Sequence, residues 1–534
     1  MTAYSDKAKP SARRFPSGKS VMNAFDILNR LGFGASLPDL ERFTTLHFTA
    51  WLDEQLHPDD QEDQICQKRL AELRIPIRYG ESKDWPAVDE KRPFQYLDAE
   101  PETLVALTMP GTSRSPQELQ RPRVEVTIAT LLRAVYSRWQ LREVLVDFWQ
   151  NHFNVNAWDQ NVGLLFPVYD REIIRQHCLG NFRQMLEAVA ESSSMLTYLN
   201  NRSSRTGAPN ENYARELFEL HTMGEDAYLN SQYNRWRKVP GASRGKPEGY
   251  IDQDVYEAAR AFTGWTVADG SRISGDEMLP RTGRFAYVPS WHDNYQKRVL
   301  ASEFDPYQPE LADGHKVLDL LSAHSATAHY LAKKLCIRLV SDSPPESLIQ
   351  STAKIWKETR HQNDQIARVV HHIASSPEFL ASRGHKTRRP LELMAGFVRG
   401  SGFDFTPTEE LINQMAAGGQ RIFGWPTPDG HPLKADYWLG SNAMRRRWML
   451  IHGLANNQFG NGVMDPIALV SDQKMTAGEF TDTWIKRLYG RENPRLSELV
   501  LSSVSYSEDK VMTRINDARK IVTWLAMAPE YQHC

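Results

Sequence analysis

Apolar residues recur at intervals of three and four through most of the chain, and alternating apolar–polar runs are scarce. That spacing marks one face of an α-helix, so the core has to be built by packing helix on helix. Ile128, Leu131, Leu132, Val135 and Trp139 follow the rhythm, and Val144, Leu145 and Phe148 repeat it. Phe182, Met185, Leu186, Val189 and Leu196 give another such run. Helical patterns cover 20–56, 127–149, 181–199, 313–340, 345–374, 387–400, 442–456 and 510–527. Between them, 61–125 is polar and dotted with proline, 231–250 is basic with several glycines, and 267–300 mixes glycine, proline and aromatics. These three stretches read as irregular loops. The expected fold is therefore mainly α: one large multi-helix domain over 20–534, interrupted by those excursions, with little sheet and a flexible tail over 1–19. No internal repeat of ~20–50 residues points to a solenoid.

Charge and cysteine usage narrow the function. Lys and Arg number 64 against 66 Asp and Glu, a net charge of −2, so no global field draws the chain to nucleic acid or to an anionic membrane. No run approaches the ~20 apolar residues of a membrane span. Cys66, Cys178, Cys336 and Cys534 are too widely spaced for a zinc ribbon, a redox CxxC or a dense disulfide framework, while long-range disulfides stay open. Arg13-Arg14 is followed by Phe15-Pro16-Ser17-Gly18-Lys19 rather than an apolar segment, so the sequence as written reads as leaderless and cytoplasmic.

Three polar clusters interrupt the apolar rhythm. The first is Asp147-Phe148-Trp149-Gln150-Asn151-His152-Phe153-Asn154-Val155, where an apolar helix runs into amides and an imidazole. His152 is a candidate ligand or base; equally, Asn151 and Asn154 suit turn positions and His152 suits a satisfied core site. The second runs from Asn210, a natural N-cap, to Gly224, a natural helix stop. Glu216 and Glu219 lie three apart on one face, a spacing able to ligate a metal or supply acid and base. At about 100° per residue, His221 falls about 140° round from Glu216, so an intact α-helix keeps His221 and Glu219 off a common ion. A plain alternative is a surface ion pair between Arg215 and Glu219. The third cluster holds Asp254 and Glu257 at the same spacing, with Asp252 as a cap and Arg260 three beyond Glu257. A weaker group is Trp291-His292-Asp293 with Lys297.

These segments resemble a bacterial family catalogued as domain of unknown function 1800. The matching text is FWQNHFNV (148–155), HCLGNFRQML (177–186), NENYARELFELHTMG (210–224), DVYEAARAFTGW (254–265) and the HD…K of 292–297. HSATAHYLAKKLCIRLV (324–340), SSPEF (375–379), RIFGWPTPDG with YWL (421–439), and NAFDILNRLGFGAS (23–36) extend it over nearly the whole chain. Ile251 and Asp252 depart from the family's more usual Thr and Gln, which shifts the expected helix cap by one residue. The resemblance implies a helical fold and no established activity. It also implies export in many members, and frequent pairing with a protein of the alkaline-phosphatase/sulfatase-like fold.

Two functional readings follow. In the first, the three clusters line a polar cavity between helices, with His152, Glu216, Glu219, Asp254 and Glu257 as the acid–base residues. In its metal-dependent form, His152, Glu216, Glu219 and His221 hold a divalent ion. In its metal-free form, imidazole and carboxylates act alone in hydrolysis or elimination. No serine elbow, P-loop or dinucleotide glycine motif is present. In the second, the protein is a non-catalytic surface or assembly factor working with the sulfatase-like partner. Trp265, Trp291, Trp425 and Trp438, among 14 tryptophans, would then form a binding surface rather than core anchors.

Overall fold

Local capping chemistry sets where many of the helices begin. Asn23, Ser36, Asn181, Ser192, Asn210 and Thr476 each accept a hydrogen bond from a backbone N–H of the first helical turn. At Ser36 the third helical residue, Asp39, returns a bond to the Ser36 backbone, and Pro38 sits in the first turn of helix Leu37–Leu56. The computed structural model describes residues 22–109, 111, 113–470 and 474–534. The expected tail over 1–19 therefore lies outside the described residues.

Helices dominate the described residues, as the three–four spacing predicts. Gln140–His152, Phe182–Glu191, Ala312–Ala323, Ser325–Leu339, Glu346–Glu358, Gln365–Ala374, Pro390–Ser401, Ser441–Ala455 and Ile515–Met527 fall where the periodicity put helices, while the first ten residues of Pro116–Tyr136 lie inside the 61–125 stretch read as a loop. Ala477–Tyr489 and Pro494–Val504 are helices in addition to those. Among the described residues no helix is long and apolar enough to cross a membrane.

Two of the three loop regions carry more structure than expected. Within 61–125 lie helix Gln64–Glu72 and an antiparallel hairpin pairing Ile75–Tyr79 with Val88–Arg92. Within 267–300, Trp265–Asp269 pairs with Arg281–Tyr287, Arg272–Ser274 with Glu277–Met278, and Lys297–Val299 with Ser302–Phe304. These strands are mostly two to five residues long and two of the pairings shift register, so no alternation accumulates for a sequence pattern to register. The 231–250 stretch holds only short 3-10 turns.

A single buried apolar cluster runs from Met22 to Tyr531, so the first and last described helices share one core. Arg30, buried on the first helix, donates to the carbonyls of Leu339 and Val340 and to Ser382, tying that helix to the middle of the chain. Trp265 and Trp438 are fully buried and Trp291 nearly so, as core anchors require. Cys66, Cys178, Cys336 and Cys534 are all free thiols, which closes the disulfide alternative.

Candidate functional site

Helix Gln140–His152 ends where its apolar face meets a polar floor. The His152 ring lies parallel to Phe148 at 6.1 Å and edge-on to Phe153 at 4.5 Å. Those contacts fix its plane. The side-chain amides beside it clamp the 425–431 loop: Asn151 donates to the His431 carbonyl at 2.9 Å and accepts from the His431 N–H at 2.7 Å. Asn154 donates to the carbonyls of Thr427 at 2.7 Å and Trp425 at 3.1 Å. The loop fits only because residue 430 is glycine. Its φ is +75°, and a Cβ there would stand 2.1 Å from the Asn151 carbonyl oxygen. Asp429, exposed on this loop, is thereby held near the end of the 140–152 helix.

The second wall comes from 210–224. Asn210 caps the helix as expected, and Glu211–Glu216 is α-helical. Leu217–Thr222 then widens into a π-helix, with the Met223 N–H donating to the Phe218 carbonyl at 2.8 Å and the Thr222 hydroxyl to the Leu217 carbonyl at 2.6 Å. Both bonds span five residues, so the angles expected of an α-helix do not apply here; π-turns often mark functional sites. Gly224, at φ +83°, ends the segment and leaves room for the Tyr330 ring, which would otherwise sit 2.6 Å from a Cβ.

The floor is a histidine–lysine pair. His152 Nε2 lies 3.1 Å from the His221 carbonyl, and its Nδ1 lies 3.0 Å from Lys334 Nζ on helix Ser325–Leu339. The carbonyl can only accept, so those partners assign the proton to Nε2 and leave Nδ1 to accept from the ammonium. Burial, and then the Lys334 charge, push the His152 pKa well below its usual value, so the ring is neutral. Burial alone lowers Lys334 to about 8, with Asp429 pulling the other way. His221 is pushed down to about 3 by burial, then by Lys334, and its Nε2 has no hydrogen-bond partner. Above this floor, Glu216 is half-buried, and desolvation followed by the charges of Glu219 and Asp429 raises its pKa, with Arg215 opposing. Tyr330 completes the group, its ring 6.3 Å from that of His152 and 5.4 Å from Lys334 Nζ.

Lys334, Asp429 and Tyr330 went unseen as site residues in sequence. Each stands inside a quoted motif, but only the folded chain puts a lysine 182 positions from His152 against its ring. Arg215 pairs with Asp252 at 3.0 Å rather than with Glu219.

The structure separates the remaining candidates from this group. Asp254 accepts from the backbone N–H groups of Ile251 at 3.0 Å and Leu300 at 2.7 Å, and burial raises its pKa to about 6. The cap residue is Ile251, and Asp252 is the first helical residue. Glu257 pairs with Arg260 at 2.6 Å, and Arg260 also binds Asp293 through two nitrogens. His152, Glu216, Glu219 and His221 do not bring three ligand atoms within 4.8 Å of one another; among the described residues only Glu187, Glu191 and His315 do so. A cavity of about 30 Å³ on the 140–152 helix is lined by Asp147, Gln150, Asn151, Arg389 and His431, space for about one water.

The HD…K segment builds a second polar centre. Lys297 Nζ is fully buried, donating to Asp313 at 2.7 Å, to the Tyr295 carbonyl at 2.9 Å and to the Asp293 carbonyl. His292 lies 2.8 Å from the Thr263 carbonyl and 3.3 Å from Asp313.

No curated protein and no solved structure matches this chain. Residues 26–533 match the sequence model of a family described as "Protein of unknown function (DUF1800)", so nearly every element described above, the His152–Lys334 floor included, lies within the matched region, and the chain belongs to that family.

Proposed function

We propose that the His152–Lys334 centre is a metal-free acid–base site for hydrolysis or elimination. The observation that carries this reading is the 3.0 Å contact between Lys334 Nζ and His152 Nδ1. A lysine hydrogen-bonded to a neutral ring, and whose pKa is lowered to about 8, exchanges its proton close to neutral pH. Lys334 acts as the base, taking a proton from water or from an acidified substrate position. Glu216, its carboxyl pKa raised, is the matching acid. His152 is a positioning residue that holds Nζ and fixes its own tautomer on the His221 carbonyl. Both nitrogens of His152 are engaged, which disfavours the form of the reading that uses it as a metal ligand.

The test is a survey of chelator-treated full-length protein against chromogenic esters, amides, glycosides and uronides. For any substrate turned over, activity survives chelation, falls ~10²-fold or more in Lys334→Met and shows a pH limb near 8. Activity lost on chelation and restored by Zn²⁺, or undiminished in Lys334→Met, would contradict it.

The competing reading, a non-catalytic factor acting with a sulfatase-like partner, draws on the exposed Trp448, Met449 and Trp524. Co-purification of such a partner, lost in Trp448→Ala and indifferent to Lys334→Met, would favour it.

A further inference from the structure

Helix Phe182–Glu191 buries Phe182, Met185, Leu186 and Val189, which leaves Glu187 and Glu191 one turn apart on a half-buried side. Like charges at that spacing destabilise a helix unless something lies between them. Helix Ala312–Ala323 packs against this one and presents His315. His315 Nε2 is 3.5 Å from a Glu191 carboxylate oxygen and 3.8 Å from Glu187 Oε1. The nitrogen is itself buried and makes no hydrogen bond. All three ligand atoms fall within 4.8 Å of one another.

The spacing distinguishes a hydrogen-bonded pair from a coordination site. Hydrogen bonds between nitrogen and oxygen close to about 2.7–3.2 Å. A tetrahedral metal about 2.0–2.2 Å from each ligand holds the ligand atoms roughly 3.3–3.6 Å apart. The observed 3.5 Å falls within the second range and 3.8 Å just above it, and both lie outside the first. The supporting contacts also suit a ligand set. Arg183 binds Glu187 through Oε2, leaving Oε1 facing His315, and donates to Asp319 at 2.6 Å. The His315 ring stands edge-on to buried Trp265 at 5.7 Å, which holds its plane.

We propose that Glu187, Glu191 and His315 bind a divalent transition-metal ion of the Zn²⁺ class, its remaining positions open to solvent. One imidazole with two carboxylates suits Zn²⁺ and its neighbours better than Ca²⁺ or Mg²⁺, which prefer all-oxygen sites. The ion neutralises the glutamate pair and staples the 182–191 helix to the 312–323 helix. None of these residues belongs to the His152–Lys334 centre, so the site stands or falls independently of the acid–base reading.

The experiment is a calorimetric titration of chelator-stripped full-length protein with ZnCl₂, beside His315→Ala and Glu191→Gln, with a thermal melt of each. The wild type takes up one saturable equivalent more than either variant, and Zn²⁺ raises its melting midpoint while leaving theirs in place. Circular dichroism establishes that each variant is folded. Should His315→Ala fail to fold, Glu191→Gln carries the same comparison from the other helix. Identical isotherms for wild type and a folded variant, or no saturable binding by the wild type, would overturn the proposal.

Discussion

Lys297 and Lys334 are two inward-facing lysines of one chain, each beside a histidine, and they are held in opposite ways. Lys297 is closed on every side: Asp313, two backbone carbonyls and no exposure. Lys334 has a neutral imidazole nitrogen at 3.0 Å, and the charge of Asp429, itself exposed, favours its protonated form. A lysine with a full set of acceptors is a clamp, because each ammonium hydrogen is tied to a fixed partner. A desolvated lysine with one uncharged partner sits near its own titration point, and that makes it available for proton transfer. Lys297 has its histidine five residues away in sequence and Lys334 has its own 182 residues away, but it is the acceptors around each ammonium that separate their roles.

The sharpest way to break the contrast is to remove each charge. Lys297→Met leaves Asp313 buried beside His292 without its cation, and stability should fall by about 3–5 kcal/mol in chemical denaturation. A loss below ~1 kcal/mol would mean that the clamp is not one. Gly430→Ala attacks the lysine's other side, by forcing the Asp429 loop off Asn151. A left-handed residue alone costs about 1–2 kcal/mol, and the 2.1 Å overlap adds to it. The expected result is a loss of about 2–4 kcal/mol and new proteolytic cutting within 421–439.

Lys334→Met should do the reverse of Lys297→Met. A lysine displaced from 10.5 to about 8 carries a penalty of about 3 kcal/mol at neutral pH. Removing it leaves His152 Nδ1 unpaired at about 1 kcal/mol, so a net gain of about 1–2 kcal/mol is expected. The unfolded chain protonates this lysine at its usual 10.5 and the folded chain only at about 8. The penalty therefore builds as pH falls from 10.5 and is complete below 8, so the advantage of Lys334→Met should shrink as pH rises through that window. The smallest effect is Asp254→Asn. The amide keeps one acceptor for two backbone N–H groups, and a loss of about 1–2 kcal/mol at pH 7 should show in the melting midpoint.

The fold class was readable because three–four periodicity is a local property, and Asn210 and Gly224 were readable as a cap and a stop for the same reason. What periodicity cannot carry is a change of helical pitch. The π-turn over Leu217–Thr222 moves His221 away from its α-helical angle, and nothing in Leu-Phe-Glu-Leu-His-Thr announces the switch. The short strands of 75–92 and 265–304 vanished because register shifts and brevity erase alternation. His152, Glu216 and Glu219 were legible as a polar interruption of an apolar helix or as a spaced pair. Lys334 was not, since Lys333-Lys334 on an amphipathic helix reads as solvated charge until the 152 and 334 positions meet. Asp254 misled for the converse reason: a carboxylate in a helix's first turn serves backbone N–H groups whether or not it faces a site.

The most direct measurement is the titration of Lys334 itself. Full-length protein is pulsed with an amine-acylating reagent across pH 6–11, and the labelling of the peptides holding Lys334 and Lys297 is followed by mass spectrometry. Half-maximal Lys334 reactivity is expected at about pH 8, with buried Lys297 unlabelled in the folded protein. A Lys334 midpoint at its usual 10.5, or a Lys297 that labels as readily, would contradict that expectation.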